Sequence, residues 1–208
     1  GSWMPAISHA QTNPYCVINF GQNPSFSGQT TAGTNADDSG KGLFKYAPPT
    51  GFLALCEDNL PTPAIADPGD YMRTVLWEGD SNTGRSITGV GFKPDLVWVK
   101  HRNTAGGHGW FDSVRGPGLR LDSQSTGAET SATGVMSFDS DGFSLGSVFN
   151  TTNRNTVAWC WKAGGAAVTN TDGTITSQVS VNQTAGFSIV SYTGTGANAT
   201  VGHGLGKA

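Results

Sequence analysis

The sequence predicts an all-β chain, an antiparallel β-sandwich with little helix, and three observations carry that expectation. Charged residues make up only 13% of the 208 residues, against roughly 25% in a typical globular domain. Thirty glycines and ten prolines displace the Ala, Leu, Glu and Lys that populate long helices. Short apolar, β-branched and aromatic runs recur between Gly, Asn, Asp and Ser clusters, which is the pattern of sandwiches and barrels. Six Trp, ten Phe and four Tyr, with a formal charge of only −3, supply the apolar area that a disordered chain lacks.

The clearest strands are Val17-Ile18-Asn19-Phe20, Thr74-Val75-Leu76-Trp77, Leu96-Val97-Trp98-Val99, Val157-Ala158-Trp159-Cys160-Trp161 and Phe187-Ser188-Ile189-Val190. Val135-Met136-Ser137-Phe138 and Phe143-Ser144-Leu145 flank Asp139-Ser140-Asp141-Gly142. Gly takes φ > 0 there and Asp bonds the turn backbone, so this segment reads as a hairpin. Trp3-Met4-Pro5-Ala6-Ile7-Ser8 also reads as a core-like strand.

Prolines at 48, 49, 61 and 63 remove ladder donors and fix φ, which places a domain junction near Asp67-Pro68-Gly69. Four segments are expected: residues 1–66, a β-rich unit over 67–165, a linker over 166–185 and the start of a second repeat over 186–208. The linker expectation rests on the small residues Ala163-Gly164-Gly165-Ala166-Ala167. The repeat aligns Thr74-Val75-Leu76-Trp77 and Gly89-Val90-Gly91-Phe92-Lys93 with Ser188-Ile189-Val190-Ser191-Tyr192 and Gly202-His203-Gly204-Leu205-Gly206. The offset is roughly 113 residues, a domain-sized period rather than a solenoid-sized one. Residues 187–208 then form an unfinished hairpin, expected to bury its edge with Phe187, Ile189 and Tyr192 partly covered. On this reading the chain is a slice of a longer modular protein.

Several functions find little support. No basic run exists to track a phosphate backbone, so nucleic acid is not an expected partner. No stretch reaches the roughly 18 apolar residues of a membrane helix, so membrane insertion is not expected. Cys16, Cys56 and Cys160 are odd in number and lack paired spacing, and each is expected to be a small buried apolar residue rather than a bridge or metal ligand. Glu78-Gly79-Asp80 invites comparison with the carboxylate pairs of retaining glycanases. Positions 82 and 83 are Asn and Thr, however, and Glu57, Glu78 and Glu129 are the only glutamates. A solvated turn is therefore expected at Glu78–Asp80. Asp139-Ser140-Asp141-Gly142 opens like a calcium loop, but the twelfth position is Asn150, not Glu. Neither Gly-x-Gly run precedes a helix-like segment, so the dinucleotide reading fails. No cofactor and no metal is expected, and no catalytic residues are assigned.

The most polar stretch between two strands runs from His101 to Asp112, and such loops carry function more often than cores do. Its candidate ligand-binding residues are His101, Arg102, Asn103, His108, Trp110 and Asp112. Trp110 offers an apolar ring face with a polar edge suited to a sugar, and the others offer hydrogen bonds to hydroxyls.

The chain resembles the appendage proteins of tailed bacteriophages, particularly long modular tail-fibre-like proteins. Residues 3–60 are similar to the C-terminal part of a SPRY or concanavalin-like β-sandwich. Trp3–Ser8, Val17-Ile18-Asn19-Phe20-Gly21-Gln22, Tyr46-Ala47-Pro48-Pro49-Thr50-Gly51-Phe52 and Asn59-Leu60-Pro61 carry that likeness. Residues 71–208 look like an uncharacterised β-rich repeat of the same proteins. Its marks are Gly91-Phe92-Lys93-Pro94-Asp95-Leu96-Val97-Trp98-Val99-Lys100, Ser137-Phe138 with Asp141-Gly142-Phe143, and Val157–Lys162. The resemblance implies a concanavalin-, SPRY- or jelly-roll-like sandwich in a virion appendage. It further implies a non-enzymatic module that binds host-surface glycan or other virion subunits, with self-association as a homo-oligomer open to it. A purely structural stalk or decoration protein, and a polysaccharide-degrading concanavalin-like enzyme, are the alternatives.

Overall fold

The computed structural model describes residues 18–206, and the chain divides into two compact units, Gly1–Pro63 and Ala64–Ala208. The expected strand at Trp3–Ser8 lies outside the described residues, as do Cys16 and Val17.

In the first unit the described residues form turns and loops, with one isolated antiparallel bridge between Asn35 and Phe44 and one 3-10 turn at Glu57–Asn59. The expected sandwich part over 1–66 is therefore not built among residues 18–66, and Ile18-Asn19-Phe20 is not a strand. The prolines and the frequent glycines interrupt any ladder after a few residues. What organises this unit is the buried Asp37 carboxylate. It accepts from the backbone N–H of Ser39 (2.9 Å), Lys41 (2.8 Å) and Ala54 (2.7 Å) and from the Asn59 side-chain amide (2.7 Å).

The second unit is all-β, and every pairing between its named strands is antiparallel. Its strands are β1 (Met72–Glu78), β2 (Arg85–Ile87), β3 (Leu96–His101), β4 (Gly109–Asp112), β5 (Leu119–Asp122) and β6 (Thr130–Ser131). They continue with β7 (Val135–Asp139), β8 (Gly142–Leu145), β9 (Asn155–Trp161), β10 (Val168–Asn170), β11 (Ser177–Asn182) and β12 (Phe187–Tyr192). A six-stranded sheet in the order β1-β9-β3-β4-β5-β6 carries one buried face, against which the small sheet β2-β8-β7 packs. A third sheet runs β10-β11-β12.

Alternation along the strands decides which residues enter this sandwich. Val97, Val99, Phe111, Ala158 and Cys160 point inward and meet Ile87, Val135, Phe143 and Leu145 from the small sheet. The Trp77 and Phe143 rings meet edge to face at 5.9 Å, and the indole N–H of Trp77 donates to the Phe149 carbonyl at 3.1 Å. Burying each such side chain contributes about 1.5–3 kcal/mol. The deep burial also pushes the Cys160 thiol up to about 12, so this cysteine behaves as the small apolar residue expected. Cys56 is only half-buried, and that expectation fails for it.

The β7–β8 hairpin forms with Asp139 opposite Gly142. Its turn does more than reverse the chain, because the Asp141 carboxylate accepts from the N–H of Gly91 (2.6 Å) and Gly89 (3.0 Å). Those bonds hold Asp141 below the ordinary carboxylate value. A Cβ at Gly142, where φ is +150°, would fall 1.9 Å from the Ile87 carbonyl oxygen, so only glycine lets the hairpin reach β2. The calcium-loop look of the sequence is thus a clasp between two turns.

The linker expected over 166–185 is corrected, since that span holds β10 and β11. Ala163-Gly164-Gly165 is small because it passes against β11. A Cβ on Gly164 would lie 2.2 Å from the Val181 carbonyl oxygen. The buried Asp95 carboxylate takes the Ala163 N–H at 2.8 Å, and the Gly164 N–H donates to the Ser180 hydroxyl at 3.0 Å. Residues 187–192 are the outer strand of that same sheet. Phe187 and Ile189 are half-buried as expected, whereas Tyr192 is 56% exposed.

Candidate functional site

The six residues of the His101–Asp112 stretch do not converge. β3 and β4 form a hairpin, and successive side chains of a strand point to opposite faces. His101 falls on the inner face, opposite Thr156, whose hydroxyl its Nδ1 meets at 3.0 Å, with the Phe149 ring 5.5 Å away. Burial holds its imidazole below the ordinary value, so it is neutral at pH 7. Arg102 and Asn103 tie the loop to the start of β9. The Arg102 N–H donates to the Asn155 carbonyl (2.6 Å), and Asn103 donates to the Asn153 carbonyl and accepts from the Asn155 N–H, both at 3.0 Å. The Asn103 side chain is thus spent on the loop, whereas the Arg102 side chain is exposed.

His108 and Trp110 are on the outer face. There the strand register builds a ladder that reading the loop alone missed: Trp159 on β9 lies opposite Trp98 on β3, Trp98 opposite Trp110 on β4, and Trp110 opposite Leu121 on β5. Directly opposed residues share a face. The ring centroids of Trp98 and Trp159 are 4.9 Å apart, those of Trp98 and Trp110 5.9 Å, and the His108 ring is 6.4 Å from Trp98. Trp110 ends the ladder 38% exposed. One residue pair further along, Trp161 stacks on Phe187 of β12 at 6.3 Å. The signal was in the sequence: Trp98, Trp159 and Trp161 occupy the alternate positions to Val97, Val99, Ala158 and Cys160, which the core claims.

Beyond Trp110 the outer face meets β12 in a groove of about 430 Å³. Leu96, Trp110 and Leu121 form one side and the whole of β12 the other, with Asp112 and Arg115 at the rim. Asp112 is only 5% exposed. It caps the turn after β4 by accepting the N–H of Val114 (3.1 Å) and Arg115 (2.9 Å), and its second oxygen takes the Arg115 Nε at 2.6 Å. Arg115 also pairs with Glu129 at 2.7 Å. The groove therefore joins an apolar aromatic surface, a fixed charged cluster, and the edge strand β12, whose face with Phe187 and Ile189 also carries the Ser191 hydroxyl.

Asp80 is committed elsewhere. Asp80 accepts the Asn82 N–H (2.9 Å) and the Asn150 amide (2.6 Å) and lies 3.4 Å from Arg85. These contacts, the Asn82 backbone bond first, hold it below the ordinary carboxylate value. It sits in a turn network with Asn82, Asn150 and Arg85. Among the described residues no group of three or more His, Cys, Asp or Glu is placed to hold a metal ion, and no helix is long and apolar enough to cross a membrane.

Comparison with protein families matches residues 67–208 to a domain of unknown function, DUF7483. Neither the curated proteins nor the solved structures contain a match.

Proposed function

Since the chain belongs to the DUF7483 family, whose function is unknown, its role has to be read from its own surface, and we propose a non-catalytic binding module that takes carbohydrate in the groove between Trp110 and β12. The observation that carries this reading is the cross-strand ladder Trp159-Trp98-Trp110, which leads into a groove with a polar rim. A pyranose has an apolar C–H face and a girdle of hydroxyls. Indole rings supply the matching apolar surface, and carboxylate and serine oxygens supply hydrogen-bond partners. The phage-appendage resemblance adds the setting, a modular tail fibre in which the ligand is a host-surface glycan. What favours binding over turnover is that Asp80 and Asp112 are each locked in pairings of their own.

A glycan array on the full chain, followed by calorimetry on any hit, tests this. Trp110→Ala is expected to weaken binding by about tenfold or more, the order of ~1–2 kcal/mol for removing an aromatic anchor. Binding that survives that change undiminished would place the ligand elsewhere, and hydrolysis that stops on changing Glu78 or Asp80 would establish an enzyme instead.

A further inference from the structure

We propose that the same groove selects neutral glycans and rejects acidic ones, an inference that rests on the carbohydrate reading. Sites that recognise a uronate or other acidic sugar present cationic donors free to meet the ligand carboxylate, and a guanidinium does so with two parallel N–H groups. Among the described residues Arg115 is the only cationic side chain lining this groove, and three of its five N–H donors, one on each nitrogen, are already engaged within the chain. Nε donates to Asp112 at 2.6 Å, Nη1 to Glu129 at 2.7 Å, and Nη2 to the Trp110 carbonyl at 3.3 Å. Two carboxylates share one guanidinium, so the cluster carries a net charge of −1 rather than +1.

An incoming carboxylate could reach only the two remaining N–H groups of Arg115 and would there face the repulsion of both Asp112 and Glu129. Like-charge juxtaposition of this kind is strongly unfavourable in a partly buried site. A hydroxyl meets no such obstacle. It donates to carboxylate oxygens and exchanges hydrogen bonds with Ser191, while its ring covers Trp110. The internal ion pairs also hold the rim rigid, since Arg115 and Asp112 are both well buried. The rim is thus built before the ligand arrives, which lowers the ordering cost of binding.

The test titrates the full chain at low ionic strength with neutral hexasaccharides of glucose, galactose and mannose and with the corresponding hexauronates. Saturable binding of a neutral series is expected, with its uronate counterpart weaker by about tenfold or more, the ratio that corresponds to ~1.4 kcal/mol. Glu129→Gln removes one negative charge and weakens the hold on Nη1, and it is expected to narrow that ratio. Should this variant fail to fold, the comparison on the unaltered chain still decides. A uronate bound as tightly as its neutral counterpart overturns the selectivity while the carbohydrate reading stands, and points to Lys100 and Arg102 beside Trp159 instead. Binding of neither series overturns both.

Discussion

His101 occupies the last position of β3, on the inner face, and its environment sets a pH dependence for the whole second unit. Burial disfavours its charged form, and the Arg154 and Lys100 charges act in the same direction, so its folded pKa lies below the ordinary 6.5. The unfolded chain then binds a proton that the folded chain refuses. Stability from this group is fully present above about 6.5 and is lost as pH falls from there toward the folded value, with a slope no steeper than about 1.4 kcal/mol per pH unit for one proton. Urea unfolding at pH 7.5, 6.5 and 5.5 is expected to show this loss, and His101→Phe, which keeps a ring against Phe149, is expected to flatten it. An unchanged slope in that variant would assign the titration to another group. The same residue shows why the sequence over-read its site. His101 to Asp112 are contiguous in sequence, but a hairpin sends alternate residues to opposite faces, leaving His108 and Trp110 outside and His101 against the core.

At the scale of elements, strand identity in the second unit was legible where apolar runs met turn residues, as in β1, β3, β7, β8, β9 and β12. β10 and β11 were not, because Val168-Thr169-Asn170 and Ser177-Gln178-Val179-Ser180-Val181-Asn182 contain three valines in nine residues and otherwise look like loop. Their identity comes from pairing and from the close approach of Ala163-Gly164-Gly165. Gly164→Ala therefore tests whether that approach holds the third sheet in place. Its new Cβ would stand 2.2 Å from the Val181 carbonyl oxygen, a backbone atom that cannot swing aside. The cost expected is about 1–3 kcal/mol, the usual range for overpacking. Hydrogen exchange should report it as faster exchange across Ser177–Asn182 and Phe187–Tyr192, with β3 and β9 still protected. Uniform acceleration across all three sheets would mean that the third sheet and the sandwich unfold together.

At the scale of the molecule, the contact boundary falls between Pro63 and Ala64, within the proline-punctuated stretch and three residues before the boundary expected after residue 66. The two sides differ in what stabilises them. Residues 64–208 contain the aromatic and aliphatic cluster around Phe111, Phe143, Phe149 and Trp77. The described part of the first unit exposes Phe20, Leu43, Phe52, Leu53, Leu55 and Leu60 and depends instead on the hydrogen bonds to Asp37. A chain segment with its own apolar core folds alone, whereas one with few buried apolar side chains gains little against the entropy of ordering its backbone. Residues 64–208 expressed alone are therefore expected to keep the near-ultraviolet circular dichroism of the packed tryptophans, a cooperative thermal transition, and any glycan affinity of the full chain within about threefold, well under the ~1.4 kcal/mol of a tenfold change. Residues 1–63 alone are expected to show no cooperative transition. Loss of the tryptophan signal from 64–208 would show that the sandwich needs the first unit. Retention of that signal with loss of binding would show that the first unit completes the ligand site.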